Sequence, residues 1–255
     1  MLTMENFISS LGESGMPEPS PEHWSTETSS TTFEGTICCM MPEVMTDVVP
    51  GVSDALVTGH PDYWAEQLDG QQGDNPFDAH GNCGLVSVAN VLTMSGTETT
   101  ETEMTEYALV NGLCRISPFD PTTRGSTTEF EISQLLEAHG LENDIVSACD
   151  ISYEDMAVMI ENGHGVVGLI NLYLTEPGYE QYAVPDAYGQ YYADHAVCMT
   201  GAVREAGTGE VRGFYVCDSG AGNSMKYISV ETLDSAFKNL PNAGLIVTRD
   251  SVREM

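Results

Sequence analysis

The sequence changes character near residue 163, and this change constrains the fold more than any other feature. Before it, apolar residues recur at the three- and four-residue spacing of amphipathic helices, as in the stretch 85–92. After it, short apolar runs bounded by turn residues are typical of strands. Helices followed by strands predict an α+β fold, in which helices pack against an antiparallel sheet.

Capping and stop signals set the bounds of the predicted elements. Thr128 and Glu131 have capping-box spacing, and Gly96, Gly112 and Gly140 are typical helix stops. We expect helices at 83–95, 102–111, 128–139 and 152–162, strands at 165–172, 195–203, 213–218 and 244–248, and a further helix at 230–238. Residues 1–50, acidic and rich in Ser, Thr and Pro, are predicted to form a weakly ordered extension to one domain at 51–255.

Cys83 lies in the first turn of the first predicted helix, directly before Gly84. The unpaired N–H groups and the positive dipole end of a helix favour an anion there. They lower the pKa of a thiol and raise the population of its nucleophilic thiolate. Cys83 is therefore a candidate nucleophile.

A nucleophilic cysteine needs a base, and a predicted hairpin supplies one. His195 begins its first strand and Asp218 ends its second. A turn centred on 206–207 sets the two residues opposite each other, whereas a turn centred on 208–209 offsets them by about four residues. Either turn brings an imidazole and a carboxylate to the same end of the hairpin, as a base and its orienting partner require.

The order of these motifs resembles the papain-like cysteine peptidases of the C39 and C39-like type, over roughly residues 70–250. The matching features are Cys-Gly at a helix start, His-Ala-Val on a strand at 195–197, and Asp at the end of the next strand. The resemblance implies a papain-like fold, with an N-terminal helical part carrying the cysteine packed against a C-terminal antiparallel sheet. It also implies that Cys83 attacks a carbonyl, His195 carries the proton and Asp218 holds the imidazole.

The oxyanion-binding residue departs from the family pattern. The family usually has a glutamine six residues before the cysteine, where this chain has Phe77. Gln72 and Gln71 lie farther upstream, and a looped-out insertion at 73–81 would let one of them reach the site. The side chain of Asn82 and the backbone N–H of Cys83 are the alternatives.

The remaining histidines and cysteines offer weaker candidates. His80 is a rival base, although a residue three positions from Cys83 on a loop is hard to orient. Seven cysteines without a C-x-x-C pair argue against zinc, and we expect no metal or cofactor. Cys198 and Cys217 fall on the two hairpin strands, as buried thiols or as a disulfide.

The charge balance restricts the partners. With 39 acidic and 8 basic residues, the formal net charge is −31. Such a chain is unsuited to nucleic acid or to an anionic membrane, and it favours a basic protein or peptide substrate, unless the charge is only a solubility adaptation. With neither a signal peptide nor a membrane span in the sequence, we expect a soluble protein that is cytoplasmic or exported by a leaderless route.

Three functions are consistent with these features. The first is a cysteine peptidase that cleaves a peptide or isopeptide bond through an acyl-enzyme. The second is a transglutaminase, deamidase or acyltransferase with the same three residues. The third is a non-enzymatic acidic binding protein, toxin or effector on a papain-like scaffold. The tyrosine-rich segment 173–192 precedes His195 and either lines a substrate cleft or serves packing alone.

Overall fold

The computed structural model describes residues 43–176 and 178–252. Within these ranges, eight strands form one antiparallel sheet with helices on both faces. The chain is thus α+β, as the order of its sequence patterns predicts.

The elements have the following bounds. The helices are α1 (Pro61–Gln67), α2 (Cys83–Met94), α3 (Glu101–Asn111), α4 (Glu129–Ala138), α5 (Tyr153–Glu161) and α6 (Val230–Leu233), which continues as a π-helix at Asp234–Lys238. The strands are β1 (Glu43–Val49), β2 (Val52–Thr58), β3 (Asn143–Ser147), β4 (His164–Ile170), β5 (His195–Glu205), β6 (Val211–Asp218), β7 (Asn223–Ser229) and β8 (Gly244–Ser251).

Local sequence signals account for the starts of three helices. Helices α3, α4 and α5 each begin with a complete capping box, in which the N-cap hydroxyl and an acidic side chain three residues later satisfy each other's backbone N–H. The predicted box of Thr128 and Glu131 is one of them. Gly112 ends α3 with φ of 67°, a left-handed conformation that glycine adopts at little cost.

Strand β5 organises the sheet. Its first half pairs with β4, its second half pairs with β2 on the same edge, and β6 pairs along the other edge. The strand order is β1-β2-β5-β4-β8-β3, with β6 and β7 continuing beyond β5. The four predicted strands are present, and β1, β2, β3 and β7 were not predicted.

The hairpin of β5 and β6 has neither of the two registers considered from the sequence. Cys198 pairs with Cys217, so the continuation of this register sets Asp218 opposite Val197 instead of His195. The register also shifts twice farther along the hairpin. The two shifts cancel, because Arg204 pairs with Val211 in the same register as Cys198 with Cys217. The turn is therefore centred on 207–208, between the two positions considered from the sequence.

The predicted boundary at residue 50 stays a prediction. The described residues all fall in one compact unit. Strand β1 lies just before the boundary, and residues 1–42 of the predicted extension lie outside the described residues. None of the helices in the described ranges has the length and apolar character that crossing a bilayer requires.

Helix α2 lies at the centre of the packing. Nearly all of its residues after Cys83 are buried, between the sheet on one side and helices α3 and α4 on the other. A helix that is apolar all round is a buried helix. Each fully buried Leu or Val contributes about 1.5–3 kcal/mol relative to an exposed one, so the packing holds the N-terminus of α2 in one place. Cys83 is carried at that N-terminus.

Candidate active site

Cys83 is the first residue of α2 and is partly buried. The preceding residue, Asn82, makes no side-chain cap to the helix, because its amide points elsewhere. Its Nδ2 donates to Oε1 of Glu101 at 2.6 Å and to Oγ1 of Thr105 at 3.1 Å. No capping side chain therefore competes for the first-turn N–H groups of α2, and the N–H of Gly84 is among the groups that stabilise a Cys83 thiolate.

His195 and Asp218 form a buried pair. Nε2 of His195 lies 2.9 Å from Oδ1 of Asp218, and both side chains are almost completely shielded from solvent. Because Asp218 faces Val197 in register, the two residues are diagonal neighbours on one face of the hairpin. Diagonal positions are about 7–8 Å apart at the backbone, a span that a histidine side chain can bridge.

The carboxylate of Asp218 is saturated with donors. Oδ1 also accepts from the backbone N–H groups of Gly220 (3.1 Å) and Ala221 (3.2 Å), and Oδ2 accepts from Nζ of Lys226 (3.0 Å). Burial alone would raise the pKa of this carboxyl. The bond and charge of His195 and those of Lys226 outweigh burial and lower the pKa to about 2.

Cys83 and His195 are electrostatically coupled. Burial raises the pKa of the Cys83 thiol, but the charge and hydrogen bond of His195, together with the backbone N–H groups of Ala196 and Gly84, lower it below its ordinary value. Burial lowers the pKa of His195, and the Cys83 thiolate and Asp218 raise it. Since Nε2 is bonded to Asp218, Nδ1 is the ring nitrogen left for the sulfur. The arrangement favours a thiolate–imidazolium pair.

The loop after Asp218 packs directly on the imidazole. A Cβ added to Gly220 would lie 2.8 Å from Cε1 of His195 and 3.1 Å from the side chain of Leu172. Sequence reasoning missed Gly220 and Lys226 as neighbours of the site. The Asp-Ser-Gly run at 218–220 is the signal that points to the first, and nothing in the sequence near 226 points to the second.

The two glutamines considered for the oxyanion differ in position. Nε2 of Gln72 donates to the carbonyl of His80 (2.7 Å), and Oε1 of Gln72 accepts from Oγ of Ser219 (3.1 Å). Gln72 therefore joins the loop before Cys83 to the loop after Asp218. Gln71 is exposed, and its amide donates to the carbonyl of Gln72 at 3.1 Å.

The other polar candidates near Cys83 have different partners. Both hydrogens of the Asn82 amide are engaged by Glu101 and Thr105, which contradicts the alternative that this side chain binds an oxyanion. The ring of His80 is turned toward Asp78, with 2.9 Å between Nε2 and Oδ1, and both side chains are exposed. The histidine whose charge and hydrogen bond lower the pKa of Cys83 is His195.

No disulfide bond joins two of the described cysteines. Cys198 and Cys217 are directly paired across the hairpin, and both are reduced and buried; burial is the first cause that raises the pKa of Cys217. Cys38 and Cys39 lie outside the described residues. No group of three or more His, Cys, Asp or Glu side chains with the spacing of a metal site occurs in the described part of the chain.

The structural likenesses to known proteins include two distant ones. No family model and no curated protein matches the sequence. The structure is similar to a double glycine motif protease from an AMS/PCAT transporter in complex with the leader peptide, with 16% identity over 66% of this chain and 84% of that chain and a TM-score of 0.38. It is also similar to a C39-like peptidase from Bacillus anthracis, with 15% identity over 67% of this chain and 90% of that chain and a TM-score of 0.45. The second belongs to the class that the sequence motifs resemble. Both TM-scores lie below 0.5, so the function has to be argued from this chain's own residues.

Proposed function

We propose that this chain is a cysteine peptidase of the C39-like type, which hydrolyses a peptide or isopeptide bond. Cys83 is the nucleophile, His195 the base and Asp218 the residue that orients His195. The observation that carries the proposal is the position of His195, which is bonded to a buried carboxylate at 2.9 Å and coupled to a cysteine at a helix N-terminus. Nucleophile, base and orienting acid in contact are the signature of covalent catalysis.

The reaction follows from the charge state of the pair. The Cys83 thiolate adds to the carbonyl carbon, the C–N bond breaks, and the His195 imidazolium gives its proton to the departing nitrogen. Water then adds to the thioester while His195 takes one of its protons. The C–S bond breaks, the acid leaves, and the thiolate–imidazolium pair is restored.

The oxyanion is assigned to two donors. One hydrogen of the Gln72 amide is bonded to the His80 carbonyl, and an amide nitrogen carries two. We assign the second hydrogen, with the backbone N–H of Cys83, to the oxygen that becomes negative in the transition state. Gln71 is exposed and bonded to the backbone, so it is the weaker candidate.

The substrate is assigned as a protein or peptide with a basic segment. The tyrosine-rich loop at 173–192 begins beside the imidazole, because the preceding residue, Leu172, neighbours Gly220, and the loop contains no Lys or Arg. Tyr179, Tyr182 and Tyr188 are more than half exposed on it. Tyrosine rings and carboxylates bind cationic side chains, so this loop is the proposed wall of the substrate cleft.

The test is the pH dependence of alkylation by iodoacetamide at each cysteine, measured by peptide mass spectrometry. We expect Cys83 to react fast below pH 7 in the wild type and to lose that reactivity in His195→Ala. Cys149 is an exposed thiol in the same molecule and serves as the internal reference. If Cys83 follows Cys149 at every pH, the proposal is wrong.

The reaction type is then tested by product mass on a peptide library. Hydrolysis gives two fragments, whereas deamidation changes the mass by about one dalton and transfer gives an amine adduct. Cys83→Ala should abolish the fragments. Fragments that persist at the wild-type rate would overturn the assignment of Cys83.

A further inference from the structure

Lys226 is a buried charge that the proposed reaction does not use. It lies on β7, is 8% exposed, and its Nζ donates to Oδ2 of Asp218 (3.0 Å), Oγ1 of Thr175 (2.9 Å) and Oε1 of Glu176 (2.8 Å). An ammonium has three hydrogens, so these three acceptors satisfy it completely. Lysine is almost never buried without such partners, and this chain has only 8 basic residues.

The carboxylate of Asp218 lies between two cationic groups. Its Oδ1 faces the His195 ring and its Oδ2 faces Lys226. A positive charge on one side of a carboxylate weakens the attraction that the carboxylate exerts on a second positive charge. Lys226 therefore weakens the stabilisation of the His195 imidazolium by Asp218. This effect acts through the carboxylate, because no contact between Lys226 and the imidazole occurs among the described residues.

The strength of that attraction matters for the proposed reaction. His195 has to hold a proton while the thiolate attacks and then give it to the departing nitrogen. A carboxylate with no second cation would hold the imidazolium too firmly for the transfer, because a general acid works best when its affinity for the proton matches the working pH.

We propose that Lys226 is a positioning residue of the candidate active site, which holds the second oxygen of Asp218 and limits the pull of this carboxylate on the His195 proton. Its bonds to Thr175 and Glu176 also fasten the start of the tyrosine-rich loop to the same carboxylate. The inference rests on the proposed function. It concerns how Lys226 adjusts the proton affinity of His195, and it leaves the assignment of Cys83 as the nucleophile unchanged.

The charged groups around His195 set the expected sign. They are the Cys83 sulfur, Asp218, the exposed Asp194 and, beyond Asp218, Lys226 with Glu176. Replacing Cys83 by Ala removes the coupled thiol, so that His195 titrates alone. All variants are therefore made in Cys83→Ala, and the His195 resonance is followed by NMR with ring-labelled histidine.

Two variants move the titration in opposite directions. Lys226→Met removes the cation, and the His195 titration should move to higher pH by about one unit. Glu176→Gln removes a carboxylate that partly neutralises the charge of Lys226. The lysine then attracts Asp218 more strongly, and the His195 titration should move to lower pH. Lys226→Arg keeps the charge and should stay close to the parent.

Lys238→Met is the matched control, because Nζ of Lys238 donates to the carbonyl of Ala148 and lies over the Tyr153 ring, with Asp218 not among its partners. It should leave the titration unchanged. The inference is overturned if Lys226→Met and Glu176→Gln shift His195 in the same direction or not at all. If Lys226→Met does not fold, Glu176→Gln decides alone. Failure of the proposed function is detected separately, as ordinary Cys83 reactivity in the wild type.

Discussion

The imidazole of His195 is confined on two edges of its ring. Nε2 is bonded to Asp218, and the backbone of Gly220 approaches Cε1 so closely that no Cβ fits between them. A planar ring held at two edges keeps one orientation, which leaves the Nδ1 edge for Cys83. Glycine is needed at 220 for this close approach and not for an unusual backbone angle, because its φ is not positive.

Gly220→Ala should therefore displace the imidazole. The new Cβ would lie 2.8 Å from Cε1 and 3.2 Å from Nε2 of His195, closer than van der Waals contact allows. We expect the alkylation rate of Cys83 below pH 7 to fall about tenfold or more, while the protein stays folded. The control is Gly207→Ala in the β5–β6 turn, where the added Cβ has no neighbour within 4 Å. Equal rates for both variants would contradict the close packing on the ring.

Asp218→Asn should weaken the same pair through charge. The carboxylate raises the pKa of His195, and His195 lowers the pKa of Cys83. The amide loses that charge, so Cys83 alkylation at pH 6 should fall about tenfold or more relative to wild type. Asp144→Asn is the control, because Asp144 is a partly exposed carboxylate that pairs with Arg249 on the surface. A rate that does not change in Asp218→Asn would exclude the orienting role.

The stability of Asp218→Asn should also depend on pH in a defined direction. The pKa of Asp218 is lowered from 3.8 to about 2 in the folded protein. A carboxyl with a lowered folded-state pKa stabilises the fold fully above its unfolded pKa, and this contribution is lost as the pH falls toward the folded value. The difference in unfolding free energy between wild type and variant should therefore shrink as the pH falls from about 5 to about 2. Urea unfolding across this range measures it, and a difference that grows in acid would contradict the lowered pKa.

At the scale of elements, the loop between Gly73 and Asn82 is fastened to helix α3 by one side chain. Oε1 of Glu101, which is buried, accepts from the backbone N–H of Gly73 (2.7 Å) and from Nδ2 of Asn75 (2.8 Å) and Asn82 (2.6 Å). These bonds close the insertion that separates Gln72 from Cys83. An inserted loop with closed ends keeps its two flanking residues near each other, at a modest entropic cost.

Glu101→Gln should loosen this loop. The amide keeps an acceptor oxygen but loses the charge that strengthens three hydrogen bonds, so the free energy of unfolding should fall by about 1–2 kcal/mol. Hydrogen exchange should increase more in the loop at 73–82 than in α3. Glu103→Gln on the same helix is the control, since glutamine also completes a capping box and the side chain is exposed. Equal exchange in both variants would exclude Glu101 as the fastening residue.

The parts of the fold that follow from local sequence could be predicted, and the parts set by long-range pairing could not. The start of α2 at Cys83 and the capping box of α4 depend on residues within a few positions. The register of β5 and β6 depends on where the turn between them is centred, and the turn-rich residues after Arg204 allow more than one position. Strand β7 alternates polar and apolar residues only weakly, so it was missed, and Lys226 with it.

At the scale of the whole molecule, several basic side chains connect separate segments of the fold through hydrogen bonds and ion pairs. Arg124 is buried and donates to the carbonyls of Phe77, Ser117 and Pro118, and Lys226 holds Asp218. Arg204 joins β5 to α5 through carboxylates of that helix. Cations used in this way lie partly or fully inside the fold. The surface of the described residues therefore has few positive charges to compensate its carboxylates, in a chain of 39 acidic and 8 basic residues.

Salt should consequently stabilise the folded chain. Like charges at a formal net of −31 repel one another more strongly in the compact state than in the unfolded chain. The Debye length falls from about 30 Å at 0.01 M to about 3 Å at 1 M salt, so added NaCl screens this repulsion. We expect the midpoint of thermal unfolding at pH 7 to rise steadily with NaCl and the rise to be smaller near pH 4, where many carboxylates are protonated. Scanning calorimetry at both pH values measures the two slopes. A midpoint that falls with salt at pH 7 would mean that attractive ion pairs, such as those of Arg204 and Lys226, outweigh the surface repulsion.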